Sequence, residues 1–219
     1  MTYFKLIFLP TILFLNLYFS FLLTAQEINN QDNIDDLDKF KQAVKAVRDK
    51  EYDVAADLFL PLAESGDIDA QFNISILIRN GLGRPQNFSK ALFWSWLAYS
   101  GGLEKADAVL EKLLFLVPEE AHETIRAEVS EFIIREINAG KYERLMHLGK
   151  FYLKILSEPD YNNAYLFYSV AAALGESGAK EKRDEVLENI ENEMIVEIQE
   201  KASLVFEALR RGEKISLPG

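Results

Sequence analysis

Apolar residues recur every three or four positions along almost the whole chain from residue 40 onward. Phe40, Ala43, Val44 and Val47 stand at i, i+3, i+4 and i+7, one stripe of an amphipathic helix. Ala121, Ile125, Val129, Phe132 and Ile133 repeat the pattern. That run opens with Val117-Pro118-Glu119-Glu120 and closes with Asn138-Ala139-Gly140. Proline suits a first helical turn, the glutamates suit the positive end of the helix dipole, and Gly140 suits the residue after the last turn. Met194, Ile198, Ala202, Phe206 and Leu209 form a third stripe, stopped by Arg210-Arg211-Gly212. No stretch alternates with period two between hairpin turns. The pattern predicts an all-α fold.

The helical pattern also repeats itself. Residues 91–102, ALFWSWLAYSGG, lie over residues 164–175, AYLFYSVAAALG. Ala91 falls on Ala164, Trp94 on Phe167, Ala98 on Ala171 and Gly102 on Gly175, each at an offset of 73. Ala106 then meets Ala179, Leu113 meets Val186 and Ile125 meets Ile198. Upstream, QFNISILIRNGLGRPQNFSKA matches LMHLGKFYLKILSEPDYNNA with one residue of slippage in the loop. The spacing predicts a duplicated unit of about 73 residues, preceded by a further helix pair near residues 37–66. Small residues at matched positions allow close helix approach, and one large aromatic per helix (Trp94 or Phe167) fills the groove between paired helices.

On these residues the stretch from Tyr52 to Gly102 resembles a Sel1-like repeat, a relative of the tetratricopeptide repeat. The resemblance is carried by Ala70-Gln71, Gly81-x-Gly83, Lys90-Ala91, Trp94, Ala98 and Gly102. Residues 145–175 resemble a second copy through Leu148-Gly149, Tyr152, Ala164, Phe167-Tyr168, Ala171-Ala172 and Gly175. The segment after it is similar to the capping helices that follow such repeats in bacterial proteins. Ser75 departs from the family's usual glycine, and the second loop lacks Gly-x-Gly. The resemblance implies antiparallel helix pairs stacked into an α/α superhelix. It also implies adaptor behaviour in envelope assembly, signalling or secretion.

The first 25 residues are of another kind. From Leu6 to Leu23 no charged residue occurs, Lys5 precedes the run, and Thr24-Ala25 follow it. That is the order of a secretory signal. The run is longer than most signals, has Leu23 where a small residue is usual, and is interrupted by Pro10, Asn16 and Ser20. An uncleaved anchor in the inner membrane and a buried helix are the alternatives. Residues 26–38, with five carboxylates and only Lys39 following them, read as an acidic solvated linker, in which Asp35 and Asp36 also suit a helix start. Residues 39–219 form the expected repeat domain. Export without cysteine suits a bacterial periplasm, where the fold must hold by packing alone.

Charge and composition narrow the function. The chain of 219 residues carries a net charge of −11 and no cysteine. Zinc–thiolate sites, Fe–S clusters and cysteine nucleophiles are excluded. Nucleic acid is disfavoured, since phosphate binding needs gathered Lys and Arg, and membrane contact is expected only through residues 6–23 if they stay uncleaved. No metal-protease, nucleophile-elbow or dinucleotide motif occurs, and GLGRPQ lacks the lysine and hydroxyl residue of a phosphate loop. Glu64, Asp67 and Asp69 sit at a helix junction, where acidic residues cap and solvate. His122 falls in a helix first turn. His147 aligns with Ile74 and reads as a partly buried histidine. No catalytic residue, cofactor or metal site is expected.

Two aromatics stand outside the repeat pattern. Trp96, aligned with Ser169, points away from the seam of Ala91, Trp94 and Ala98, and Tyr99 replaces a typical alanine. Either Trp96 packs on neighbouring linker helices, or Trp96 and Tyr99 anchor a partner, as Trp and Tyr do at hot spots. The leading expectation is an exported, non-enzymatic scaffold for a protein or peptide partner, with a basic partner favoured by the acidic surface. A glycan-binding protein or weak hydrolase, stacking sugars on Trp96, Tyr99, Tyr161 and Tyr165, is the second. A membrane-anchored structural subunit is the third.

Overall fold

Helix is the only regular secondary structure among the described residues, 34–217, of the computed structural model. The expected signal, residues 1–25, and residues 26–33 of the expected linker lie outside the described residues. Helix α1 covers 34–48. Residues 34–38, expected as linker, are therefore helical. Then follow α2 (Tyr52–Glu64), α3 (Ile68–Asn80), α4 (Phe88–Ser100), a 3-10 turn (Glu104–Ala106) and α5 (Asp107–Leu116). The second half holds α6 (Glu119–Asn138), α7 (Arg144–Lys154), α8 (Tyr161–Leu174), α9 (Ala179–Leu187) and α10 (Asn192–Arg210). No helix among the described residues is long and apolar enough to cross a membrane.

The helix ends follow from local chemistry. Asp67 caps α3 by accepting from Ala70 N–H at 2.6 Å, which satisfies a donor that the first helical turn leaves unpaired. Asn87 caps α4 through Lys90 N–H, and Asp160 caps α8 through Asn163 N–H, both at 2.9 Å. These two caps are 73 residues apart. The chain after each helix turns at a left-handed glycine, Gly102 (φ 96°) and Gly175 (φ 88°), at the same offset. The exit from α3 differs from the exit from α7. Gly81 closes α3 in the left-handed region, whereas Ile155 closes α7 in the right-handed one. The loop without Gly-x-Gly thus takes another path.

Packing is most extensive between α3 and its neighbours α2 and α4, and between α8 and α7, α9 and α10. α4 also touches α5, α6 and α7, so it links the two halves. Ala70, Ala91, Ala98, Ala106, Ala164, Ala171 and Ala179 are fully buried, where a larger side chain would hold the helices apart. Phe167 lies over Tyr152 in a near-parallel stack, 5.6 Å between centroids. Gly149 presents its backbone to Tyr168: a Cβ there would stand 2.5 Å from the ring. Gly83 passes so close to the Tyr52 carbonyl, at φ 68°, that only glycine fits.

Two polar junctions tie distant segments. The turn between α2 and α3 is held from the α6–α7 turn: Lys141 Nζ donates to Ser65 O (2.6 Å) and Arg144 Nη2 to Gly66 O (2.9 Å). Buried Glu136 neutralises Lys141 at 2.5 Å. At the same C-terminal end of α6, the Asn138 carboxamide accepts from Ile215 N–H and donates to Ile215 O, both at 2.9 Å. It pairs with the extended tail as a neighbouring strand would.

Candidate functional site

Trp96 is not a surface anchor. It is 3% exposed, on the side of α4 that faces α6. His122 meets the indole edge-to-face at 6.0 Å, and the Arg126 guanidinium lies 5.5 Å from the ring. Both neighbours are themselves fixed: His122 Nε2 contacts Val117 O at 3.1 Å, and Arg126 Nε donates to Ile155 O at 2.7 Å. The large ring fills the joint between α4 and α6, so it offers no face to a partner. Of the two roles open to it, the packing one is the role it has.

Tyr99 is half-buried, and Lys150 Nζ stands 4.2 Å above its ring. The same ammonium donates to Glu104 at 2.6 Å. Burial, then the charges of Glu104 and Asp107, push the Tyr99 hydroxyl above its usual range, so it stays protonated. Tyr99 thus spans α4 and α7. The aromatics named for sugar stacking are dispersed in the same way. Tyr165 is buried and accepts from Gln199 at 3.2 Å, while Tyr161 is exposed. These four rings form no common platform.

A different place gathers aromatic surface. Between α4 and α6 runs a groove with a cavity of about 850 Å³, extended by a second of about 400 Å³ that shares Phe93 and Glu128 with it. Its floor is apolar: Leu60 from α2, Ile74 and Ile78 from α3, Phe93 and Trp94 from α4, and Ile125 and Phe132 from α6. Phe93, Trp94 and Phe132 form a three-ring cluster, each pair edge-to-face with centroids 4.9 to 6.1 Å apart. Edge-to-face contact is a favoured geometry for aromatic pairs.

The wall is one face of α6. Ala121, Ile125, Glu128, Phe132 and Arg135 recur at helical spacing along it, so the groove follows α6 for about 21 Å at 1.5 Å per residue. The opposite lip is the loop Arg84-Pro85-Gln86-Asn87 with the first turn of α4. Gln86 holds that loop by donating to Arg79 O at 2.8 Å, and Arg84 pairs with Asp57. Arg135 lies over the Phe132 ring at 4.4 Å. Glu64, Glu128 and Glu131 have no ion-pair or hydrogen-bond partner among the described residues.

Trp94 therefore has a second aspect. Read from sequence as repeat packing, it is 7% exposed and also contributes to the groove floor. Phe93 carries no distinguishing signal in the sequence, since its partner at the offset is another apolar residue, Leu166. Leu166 is buried whereas Phe93 is half-exposed. Glu128 and Glu131 read as a solvated helix face, and only the fold places them beside Phe93. His147, half-buried, lies elsewhere. Burial, and then the charges of Arg144 and Lys150, hold its pKa down to about 3, so the ring is neutral. No group of three or more His, Asp or Glu among the described residues could hold a metal ion.

In comparisons with known proteins, no family model, no curated protein and no solved structure matches the chain significantly.

Proposed function

We propose that the chain is an exported, non-enzymatic helical-repeat scaffold that holds a protein or peptide partner in the groove between α4 and α6. The observation that carries this reading is the groove itself, in which a half-exposed Phe93 is held over the buried Trp94 and Phe132 along one helix face. Grooves with aromatic floors and polar rims are the usual form of peptide sites on helical proteins. The assignment to Sel1-like repeats, and to a superhelix of stacked pairs, draws support from features recurring 73 residues apart. These are the caps Asn87 and Asp160, the buried alanines, and the left-handed Gly102 and Gly175. Export rests on the apolar run from Leu6 to Leu23 and leads to a periplasmic location, or to an inner-membrane anchor where the run is kept.

A photo-crosslinking amino acid placed at Thr124, on the groove wall, tests the reading in the native envelope. The control position is Leu204, which is 71% exposed on α10. A discrete adduct from Thr124 and none from Leu204 is expected. Equal labelling at both positions, or none at Thr124, overturns the groove as the partner site. Mass measurement of the exported protein's N-terminus separates the cleaved form from the anchored one.

A further inference from the structure

The groove's borders carry more charge than a generic peptide site needs, and the charge is unevenly neutralised. Of its three cations, Arg84 is neutralised by Asp57, which leaves Lys90 and Arg135, the latter 4.4 Å from the Phe132 ring centre, against three carboxylates. Glu64, Glu128 and Glu131 border the same groove, are exposed, and have no partner among the described residues. Glu128 and Glu131 stand three residues apart on α6, so they project from neighbouring positions over the Phe93 end. Carboxylates beside a half-exposed aromatic ring form a setting for a cation, which gains from the ring face and from the charge together.

Resting on the reading of this groove as a partner site, we infer that its ligand is a short extended peptide segment that alternates apolar and basic residues. An apolar side chain packs on Phe93 and Trp94, and a flanking Lys or Arg lies between Glu128 and Glu131. The 21 Å length of the wall matches about six extended residues at roughly 3.3 Å each. The chain's net charge of −11 favours the approach of such a segment, and the attraction weakens as salt rises.

The test uses the full chain in a non-ionic detergent and three fluorescein-labelled peptides read by anisotropy. The first is acetyl-Lys-Leu-Lys-Phe-Arg-Leu-Lys-amide. The second and third replace every basic residue with Gln or with Glu. The basic peptide is expected to bind at least about tenfold more tightly than either, a difference of about 1.4 kcal/mol, and to weaken with salt. The double variant Glu128→Gln/Glu131→Gln should lose about tenfold for the basic peptide and nothing for the Gln peptide. Glu193→Gln/Glu200→Gln, which removes two charges from α10, should lose little; an equal loss overturns the site and leaves only bulk attraction. If the Gln peptide binds as tightly as the basic one, the basic preference is wrong and the groove reading stands. If none of the three binds at millimolar concentration, both fall.

Discussion

Arg144 donates from Nη2 to the carbonyl of Gly66, 2.9 Å away and 78 positions earlier in the chain. The contact joins the turn after α2 to the start of α7, across the two halves of the molecule. Its surroundings leave no alternative: a Cβ on Gly66 would itself stand 2.7 Å from the guanidinium. The Arg144 side chain is only 13% exposed, so water replaces its bonds poorly. Arg144→Met keeps the apolar stem and orphans the Gly66 carbonyl. It should cost about 1.5–3 kcal/mol, the range for a hydrogen bond to a charged donor. Urea denaturation checks this, with the midpoint falling at unchanged slope.

The same guanidinium sets up a pH dependence. Arg144 Nη1 lies 3.4 Å from both ring nitrogens of His147, and burial and the charges of Arg144 and Lys150 hold the folded pKa near 3 against an ordinary 6.5. Between those values the unfolded chain binds a proton that the folded chain refuses. The contribution of His147 is therefore complete above pH 6.5 and is lost progressively as pH falls toward 3. His147→Gln should flatten this part of the stability curve, so that wild type loses more than the variant between pH 6 and pH 4. Parallel urea titrations at four pH values measure the difference. A ring signal from His147 that titrates near pH 6.5 would contradict it.

Gly149 and Tyr168 form a matched pair. The residues that the internal sequence match sets against them are Ser75 and Ser95, both fully buried. The departure at Ser75 is thus accompanied by a small residue at the position equivalent to the tyrosine. Gly149→Ser alone should cost about 1–3 kcal/mol by overpacking against the ring, more if the backbone must shift. Tyr168→Ser alone should cost about 3–5 kcal/mol through the cavity it leaves. The double variant should fall short of the sum by at least about 1 kcal/mol, since residues in contact couple. Strict additivity in the cycle would show that the two sites do not share the space.

Much of the helical layout was legible in advance because it depends on period and punctuation. The stripes through Val129 and Ile198, and the stops at Gly140 and Gly212, are local signals that tertiary packing had no reason to override. The offset of 73 likewise aligned the two left-handed glycines, Gly102 and Gly175, whereas the matching caps Asn87 and Asp160 emerge only from the structure. The candidate site was not legible. Trp96 and Phe93 differ by three positions, and nothing in the spacing tells which of them α6 covers. That depends on how α6 crosses α4, which is fixed by contacts such as Trp96 with His122 and Phe93 with Phe132. Departure from a repeat pattern marked Trp96 as unusual, and its unusual feature is a structural joint.

Trp96→Ala separates these roles by measurement. The indole is buried against His122 and Arg126, so truncation removes a ring from a packed joint and loosens two neighbours at once. A loss of about 3–5 kcal/mol is expected, as for other buried aromatics. Trp96→Phe retains most of the volume and should cost distinctly less. Phe93 sits three residues earlier on the same helix but is half-exposed, so Phe93→Ala should cost less stability than Trp96→Ala. Thermal unfolding of the three variants side by side gives the order. If Trp96→Ala left the melting temperature unchanged while Phe93→Ala collapsed the fold, the positions of joint and groove would be exchanged.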